Sequence, residues 1–187
     1  MKIILMLLLA VNGGFVWAQT NAPATNAPAT NAPPAQTVID SEQGYFDGNT
    51  RQMIYVGQVV VTDAKATLHC GQLTINLPPD GSHPTNIVAI TNVVIVAIDE
   101  KGQTNTITAE KAVYAYSVVN SVTNETVTFT GGEPMPKAEN SQVIITGEPL
   151  TLDLTTKRYS GSNYRTVFKQ SPNSGNGTNA SPFNLLK

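Results

Sequence analysis

The chain has 187 residues, a net charge of −2 at pH 7 and one cysteine, Cys70. This length suits one domain with short accessory segments, and a lone cysteine excludes an internal disulfide framework. No stretch of the chain is basic enough to suggest nucleic-acid binding. Charged residues make up only 13% of the chain while Val, Ile and Thr are abundant, which favours strands over helices.

The N-terminal segment has the features of a secretory signal peptide. The positively charged start, Met1-Lys2, is followed by a continuous apolar run from Ile3 to Val11, which is too short to span a bilayer. Val16-Trp17-Ala18 then offers small residues at the positions that a signal peptidase reads. We therefore predict that residues 1–18 are removed by cleavage after Ala18 and that the mature chain is secreted.

The segments on either side of the central region have low-complexity composition. Residues 19–35 repeat Thr-Asn-Ala-Pro-Ala almost perfectly, and their frequent prolines predict an extended tether. We interpret this tether either as a spacer between a membrane and the domain or as a leader without a specific role. Residues 171–187 are rich in Ser, Asn, Gly and Pro, which predicts a disordered tail. The folded domain is therefore expected at residues 36–170.

A repeat runs through this domain. Each copy begins with an apolar residue, has a small residue two positions later, and places further inward residues five, seven and nine positions from its start. Side chains alternate faces along a strand, so inward residues are normally two positions apart. The interval between the second and fifth positions is three, which keeps both inward only if an extra residue forms a bulge. A bulge bends the strand around a corner. The copies begin at Ile39, Leu68, Ile107 and Ile145, their small residues are Ser41, Cys70, Ala109 and Gly147, and their seventh positions are Phe46, Ile75, Tyr114 and Leu152.

A second strand follows each copy and reaches a short motif: an apolar or aromatic residue, a spacer, and then Gly or Asn. The motifs are Tyr55-Val56-Gly57, Ile90-Thr91-Asn92, Phe129-Thr130-Gly131 and Tyr159-Ser160-Gly161. About four such two-strand repeats, stacked side by side, predict an all-β fold in which a rolled antiparallel sheet encloses an apolar interior. The residues expected to line that interior are Tyr55, Val59, Leu68, Leu73, Ile75, Ile107, Tyr114, Phe129, Ile145 and Leu152.

Three copies of the repeat place a glutamate directly after the small residue, at Glu42, Glu110 and Glu148. Paired carboxylates can perform acid/base catalysis, as in glycoside hydrolysis. These recur at one structural position, however, so we predict that each accepts hydrogen bonds from backbone N–H groups freed at a bulge. The chain has no nucleophile-elbow, P-loop or dinucleotide-binding motif, and we expect no enzymatic activity.

Neither histidine is expected to bind a metal. His69 precedes Cys70, but neighbouring residues of a strand point to opposite faces, and Cys70 occupies the small inward slot of the repeat. His83 lies in a Gly/Pro loop without a second His or Cys at ligand spacing. We therefore interpret Cys70 as a small buried apolar residue.

The repeats resemble the OstA/LptA-like family, whose members carry lipopolysaccharide across the periplasm. The resemblance covers most of Thr37 to Phe168. It departs from the family at Gly71, where an acidic residue is usual, and in the long loop from Pro78 to Asn86. The segments that carry it are Ile39-Asp40-Ser41-Glu42, Tyr55-Val56-Gly57-Gln58-Val59-Val60-Val61, Ile107-Thr108-Ala109-Glu110-Lys111-Ala112-Val113-Tyr114, Val127-Thr128-Phe129-Thr130-Gly131-Gly132-Glu133-Pro134 and Ile145-Thr146-Gly147-Glu148-Pro149-Leu150.

The resemblance implies a periplasmic protein with an open β-jelly roll or β-roll, whose interior holds the lipid A acyl chains of lipopolysaccharide without a cofactor. It implies homologous β-roll domains of inner- and outer-membrane transport components as partners, and a sheet that does not close could also associate head to tail with itself. Two alternatives stay open. One is a bridging β-roll of the transport assembly that binds no lipid, and the other is a carbohydrate-binding or adhesin-like β-domain.

Overall fold

The computed structural model describes residues 36–80, 83–99, 101–133 and 135–169. The predicted signal peptide, tether and tail lie outside these ranges, so their boundaries stay predictions. Every regular element within the described ranges is a β-strand, which confirms the all-β prediction, and no helix there is long and apolar enough to cross a membrane. The strands are β1 (Val38–Asp40), β2 (Gln43–Asp47), β3 (Gln52–Asp63), β4 (Ala66–Asn76), β5 (Asn86–Ile98), β6 (Thr104–Val119), β7 (Val122–Thr130), β8 (Lys137–Glu139), β9 (Val143–Thr146), β10 (Leu150–Asp153), β11 (Arg158–Gly161) and β12 (Arg165–Phe168).

The strands form one antiparallel sheet in which the chain passes back and forth between neighbours. The long strands β3, β4, β5 and β6 pair in sequence order. The shorter strands lie end to end, so that β1 and β2 both pair with β3, and β7 and β8 both pair with β6. Strands β9 and β10 then pair with β8 and β7, and strands β12 and β11 pair with β9 and β10. The sheet therefore consists of eight bent passes, which matches the four predicted two-strand repeats.

The predicted bend is present, but in the first two repeats the extra residue lies in the second strand rather than the first. In β4 the buried side chains follow the predicted step of three, with Cys70 and Leu73 on the same face. The pairing of β3 with β4, however, sets Gly57 and Gln58 opposite Gly71 alone. Gly57 and Gln58 have φ angles of 82° and 43°, and a glycine adopts the first of these without strain.

The same arrangement recurs one repeat further along the sheet. Strand β5 places Thr91 and Asn92, with φ angles of 70° and 52°, opposite Glu110 of β6. At the end of β7, Gly131 and Gly132 have φ angles of 74° and 106°. The first three motifs that end in Gly or Asn therefore lie at the irregular backbone of the corner, whereas Gly161 of the fourth motif is still paired with Leu150.

The line of bulges divides the sheet into two halves. We call one the aliphatic half; it contains β1, β8, β9, β12 and residues 59–63, 66–70, 93–98 and 104–109 of the long strands. We call the other the aromatic half; it contains β2, β7, β10, β11 and residues 52–56, 72–76, 86–90 and 111–119. Buried side chains from both halves belong to one apolar core cluster, so the halves share a single interior.

The sheet does not close, and its two ends are edges. Strands β1 and β2 form one edge and β11 and β12 form the other. This confirms the open β-roll. It also corrects the expectation for Phe46, which the repeat places inward but which is 58% exposed. Phe46 lies on β2, and an edge strand has a neighbour on one side only, so less of its surface is covered.

Candidate functional site

The structure brings all ten predicted interior residues to the same core. Eight of them are buried, and the remaining two, Tyr55 and Ile145, are partly buried and pack against the cluster. The buried eight are Val59, Leu68, Leu73, Ile75, Ile107, Tyr114, Phe129 and Leu152. These positions therefore form one apolar surface inside the roll.

Sequence analysis missed part of this interior, above all in β5. The missed buried residues of that strand alternate with period two on either side of the bulge, a pattern that was present in the sequence. The copies of the repeat begin on other strands, so the repeat pattern does not identify the inward residues of β5. The missed residues of the interior are Ala66, Ile87, Ala89, Val93, Ile95, Ala97, Val127 and Ala138. The repeat had already placed Cys70, Ala112, Leu150 and Leu154 inward, and all four are buried.

The interior contains almost no polar side chains. Among the described residues, the single buried polar or charged residue is Asn105, whose amide donates to the Gln103 carbonyl oxygen at 3.4 Å and whose oxygen accepts from Asn140 at 3.2 Å. Because buried polar groups are costly unless hydrogen-bonded, these contacts account for its presence near one rim. A surface of this kind is suited to contact with hydrocarbon.

Tyrosine hydroxyls supply the polar atoms at the opposite rim. Tyr114 is buried, and its hydroxyl donates to the Glu125 carboxylate at 3.3 Å. Burial, followed by the negative charge of Glu125, raises the pKa of Tyr114 far above its usual value. Burial likewise raises the pKa of Tyr159 to about 12. Both phenols therefore stay protonated and neutral at physiological pH, as an apolar interior requires.

The repeated glutamates lie at the corners of the sheet, outside the apolar interior. Both carboxylate oxygens of Glu148 accept from the Gly131 backbone N–H, at 3.0 and 3.2 Å. Glu110 accepts from the Asn92 N–H at 3.5 Å. These contacts confirm the predicted role of two glutamates at bulges. Glu42 differs, because its carboxylate accepts from the side-chain amide of Gln58 at 3.0 Å.

The missing glutamate at Gly71 has a steric explanation. A β-carbon at Gly71 would lie 2.9 Å from the β-carbon of Thr91, which is closer than such atoms approach. At Gly131 the crowding is reversed, since a β-carbon there would lie 3.3 Å from Glu110. Each corner thus accommodates one side chain. Beside Gly71 this side chain is Thr91 of the bulged strand β5, and beside Gly131 it is Glu110. A notch of about 350 Å³ remains beside Gly71, lined by Gln58, Val59, Val60, His69, Cys70, Gly71, Thr91 and Asn92.

Cys70 and His69 are placed as predicted. Cys70 is buried and free, and burial raises the pKa of its thiol to about 11, so the reactive thiolate is scarce at neutral pH. His69 is exposed on the opposite face of β4. Within the described ranges, no three His, Cys, Asp or Glu side chains come together as metal ligands.

Comparison with known proteins gives a family and a fold. The family described as "LptA/(LptD N-terminal domain) LPS transport protein" matches residues 38–158. The fold is similar to LptH of Pseudomonas aeruginosa, described as the LptA homologous periplasmic component of a conserved lipopolysaccharide transport device, with a TM-score of 0.58 and 12% sequence identity over 72% of this chain and 96% of that one. No curated protein matches the chain by sequence.

Proposed function

Because the chain belongs to the LptA/LptD N-terminal domain family of lipopolysaccharide transport proteins, we propose that it binds lipopolysaccharide by its acyl chains and passes it towards the outer membrane. The observation that carries this proposal is the single apolar interior shared by the two halves of an unclosed sheet. The headgroup stays in water, so transfer requires neither a cofactor nor a covalent step.

The energetics of acyl-chain burial support binding without a basic patch. Each methylene moved from water into apolar surroundings contributes about 0.8 kcal/mol. Several chains of a lipid A anchor would therefore compensate for the cost of parting the two halves of the core. The charged corner residue Glu148 and its counterparts lie outside the interior, where they do not meet the hydrocarbon.

The open edges support assembly with similar domains. Unpaired edge strands accept another strand, and charge or proline normally protects them. Strand β12 begins with the charged Arg165 but also exposes Val167 and Phe168. Head-to-tail pairing of β12 with β1 of another roll, from a second copy or from inner- and outer-membrane components, would join the interiors into one path. Sedimentation over a concentration series tests self-association, which Phe168→Lys should reduce by charging the edge.

Periplasmic localisation is part of this proposal. It follows from the predicted signal peptide and from the described role of LptH as a periplasmic component. N-terminal sequencing of the protein released by osmotic shock should begin at Gln19. Recovery from the cytoplasm alone, with Met1 retained, would contradict both the localisation and the transport role.

Site-specific photo-crosslinking tests the lipid contact directly. A photo-reactive residue at Leu68, Tyr114 or Phe129 should attach to lipopolysaccharide in cells, because these side chains point into the interior. The matched control is His69, which neighbours Leu68 on β4 but points outward. Equal labelling at Leu68 and His69 would show only nonspecific contact. No labelling at any position, with the fold intact by circular dichroism, would favour the bridging role without lipid.

A further inference from the structure

The hairpin that joins β6 to β7 extends beyond the rest of the sheet. Strand β5 begins at Asn86, opposite Ala115 of β6, and β10 ends at Asp153, opposite Thr126 of β7. Among the described residues, residues 117–124, which we call the hairpin tip, therefore have their strand partners only in each other. The turn between them, Asn120-Ser121, has φ angles of 51° and 63°, as a tight hairpin turn requires.

The end of the hairpin tip carries apolar side chains on both faces, whereas Ser117, Thr123 and Asn124 further from the turn are polar. Val118 continues the inward face of β6, whereas Val119 lies directly opposite Val122 on the other face. The three side chains are 55%, 56% and 60% exposed. A strand with one face in water is expected to place polar residues on that face. Apolar side chains on both faces indicate surroundings that are apolar on both sides at once.

The charges around the hairpin tip point to a lipid surface. No charged residue occurs from position 112 to position 124. Lys157 lies in the turn that follows β10, and Arg158 begins β11. The acidic residues nearby have partners within the fold: Asp153 accepts from the backbone N–H groups of Thr155 and Thr156, and Glu125 accepts from the Tyr114 hydroxyl. An uncharged apolar projection beside two cationic side chains complements hydrocarbon beneath anionic headgroups.

From this arrangement we infer that the hairpin tip inserts into the interfacial region of a lipid bilayer whose anionic headgroups contact Lys157 and Arg158. A bilayer surrounds an inserted projection, whereas a flat protein surface covers only one of its faces. The outer backbone edges of a two-stranded ribbon cannot be left unpaired in hydrocarbon, so insertion is limited to the headgroup boundary. This contact surface is separate from the interior and does not depend on whether the interior holds lipid.

A single-tryptophan reporter tests the insertion. Trp17 is the one tryptophan in the sequence, so a full-length Trp17→Phe chain with Val119→Trp reports from the hairpin tip whether or not the leader is cleaved. With vesicles of phosphatidylethanolamine and phosphatidylglycerol, its emission should move to shorter wavelength and be quenched by lipids brominated on their acyl chains. Ile98→Trp in the same background is the control, since Ile98 is half exposed at the opposite rim, and its emission should not change.

Two further variants separate the contributions to binding. Val118→Asn with Val122→Asn should abolish co-sedimentation with vesicles and leave the circular dichroism spectrum unchanged, because both side chains are exposed. Lys157→Glu with Arg158→Glu should weaken sedimentation with phosphatidylglycerol vesicles but have little effect with phosphatidylcholine alone. Retention of full vesicle binding by the Val118/Val122 variant would overturn the inference.

Several outcomes of the fluorescence experiment would also reject a bilayer as the occupant. Emission at short wavelength before lipid is added, independent of dilution, would show that another segment of the chain covers the tip. A blue shift that depends on protein concentration alone would assign the tip to contact with a second copy. Equal shifts for Val119→Trp and Ile98→Trp would indicate nonspecific adsorption.

Discussion

The two halves of the sheet are built by the same passes of the chain, yet they fill the shared interior differently. The aliphatic half contributes branched and small side chains such as Val61 and Ala97, whereas the aromatic half contributes the buried rings of Tyr114 and Phe129. A buried ring removes more surface from water than an aliphatic side chain. The difference indicates that a few large residues of the aromatic half supply much of the stability, while the aliphatic half relies on many small contributions.

Truncation of the largest buried ring should have the largest effect. Phe129→Ala removes a side chain that is only 1% exposed and is expected to lower the free energy of unfolding by about 3–5 kcal/mol. Urea denaturation monitored by circular dichroism measures the change. Phe46→Ala, at an exposed ring of the same half, is the control and should stay within about 0.5 kcal/mol of wild type. A smaller loss for Phe129→Ala than for Leu68→Ala in the aliphatic half would contradict the comparison.

Strand content and inward residues could be predicted because both depend on local alternation. The small slots at Cys70 and Ala109, and the direction of Leu68 and His69, follow from period two and one extra residue. The position of that extra residue could not be predicted this way. A bulge is defined by how many residues oppose each other across two strands, and the spacing along β4 does not reveal that β3 carries the additional residue.

The division into halves also escaped sequence analysis, since it depends on which segments meet across the corner. Phe129 and Leu150 belong to different repeats along the chain but lie opposite each other on neighbouring strands of the aromatic half. The exposure of Phe46 depends on β2 having no outer neighbour, which the repeat pattern does not encode. The close approach of Thr91 to Gly71, which leaves no room for a side chain at position 71, likewise depends on the pairing of β4 with β5.

The corner that separates the halves can be disturbed at its glycines. Gly57 has a φ angle of 82°, and an added β-carbon would collide with the Glu42 side chain. Gly57→Ala should therefore cost about 1–2 kcal/mol for the left-handed backbone alone, plus the displacement of Glu42. Gly102→Ala is matched in backbone conformation, with a φ angle of 75°, but its β-carbon would meet nothing within 4 Å. Thermal unfolding should rank Gly57→Ala as the more destabilising, and equal effects would remove the proposed role of the corner contact.

The glutamates that brace the corners should matter in proportion to their hydrogen bonds. Glu148→Gln replaces charge-assisted bonds to Gly131 with neutral ones and should lower the free energy of unfolding by about 1 kcal/mol. Glu110→Gln should have a smaller effect, because its bond to Asn92 is longer, at 3.5 Å. Chemical denaturation of both variants gives the ranking. A larger effect at Glu110 would show that the carboxylates do not act mainly through these backbone contacts.

The smallest expected effect concerns carboxylates at the surface of the two halves. In the aliphatic half, hydrogen bonds from Lys137 and then Lys169 lower the pKa of Glu139 to about 2, with Nζ–Oε distances of 2.8 and 2.6 Å. In the aromatic half, the backbone N–H of Thr156 is the main cause that lowers the pKa of Asp153. Salt screens exposed ion pairs, so the pKa of Glu139 should rise with ionic strength more than that of Asp153.

A lowered pKa stabilises the fold above the ordinary pKa of the group, and that contribution disappears as the pH falls through the folded value. For Glu139 the window runs from its ordinary pKa of 4.5 down to about 2. The difference in stability between wild type and Glu139→Gln should therefore shrink as the pH falls through this window, and it should be small throughout at high salt. Carboxyl chemical shifts of Glu139 and Asp153, followed by NMR at two salt concentrations, give the two titrations.

Because Lys169 directly follows β12 and also donates to the Asn140 carbonyl oxygen at 2.8 Å, loss of this ion pair should loosen the edge strand first. Hydrogen exchange that accelerates in β12 but not in β11 on acidification would locate the effect in the aliphatic half, and equal acceleration in both strands would not.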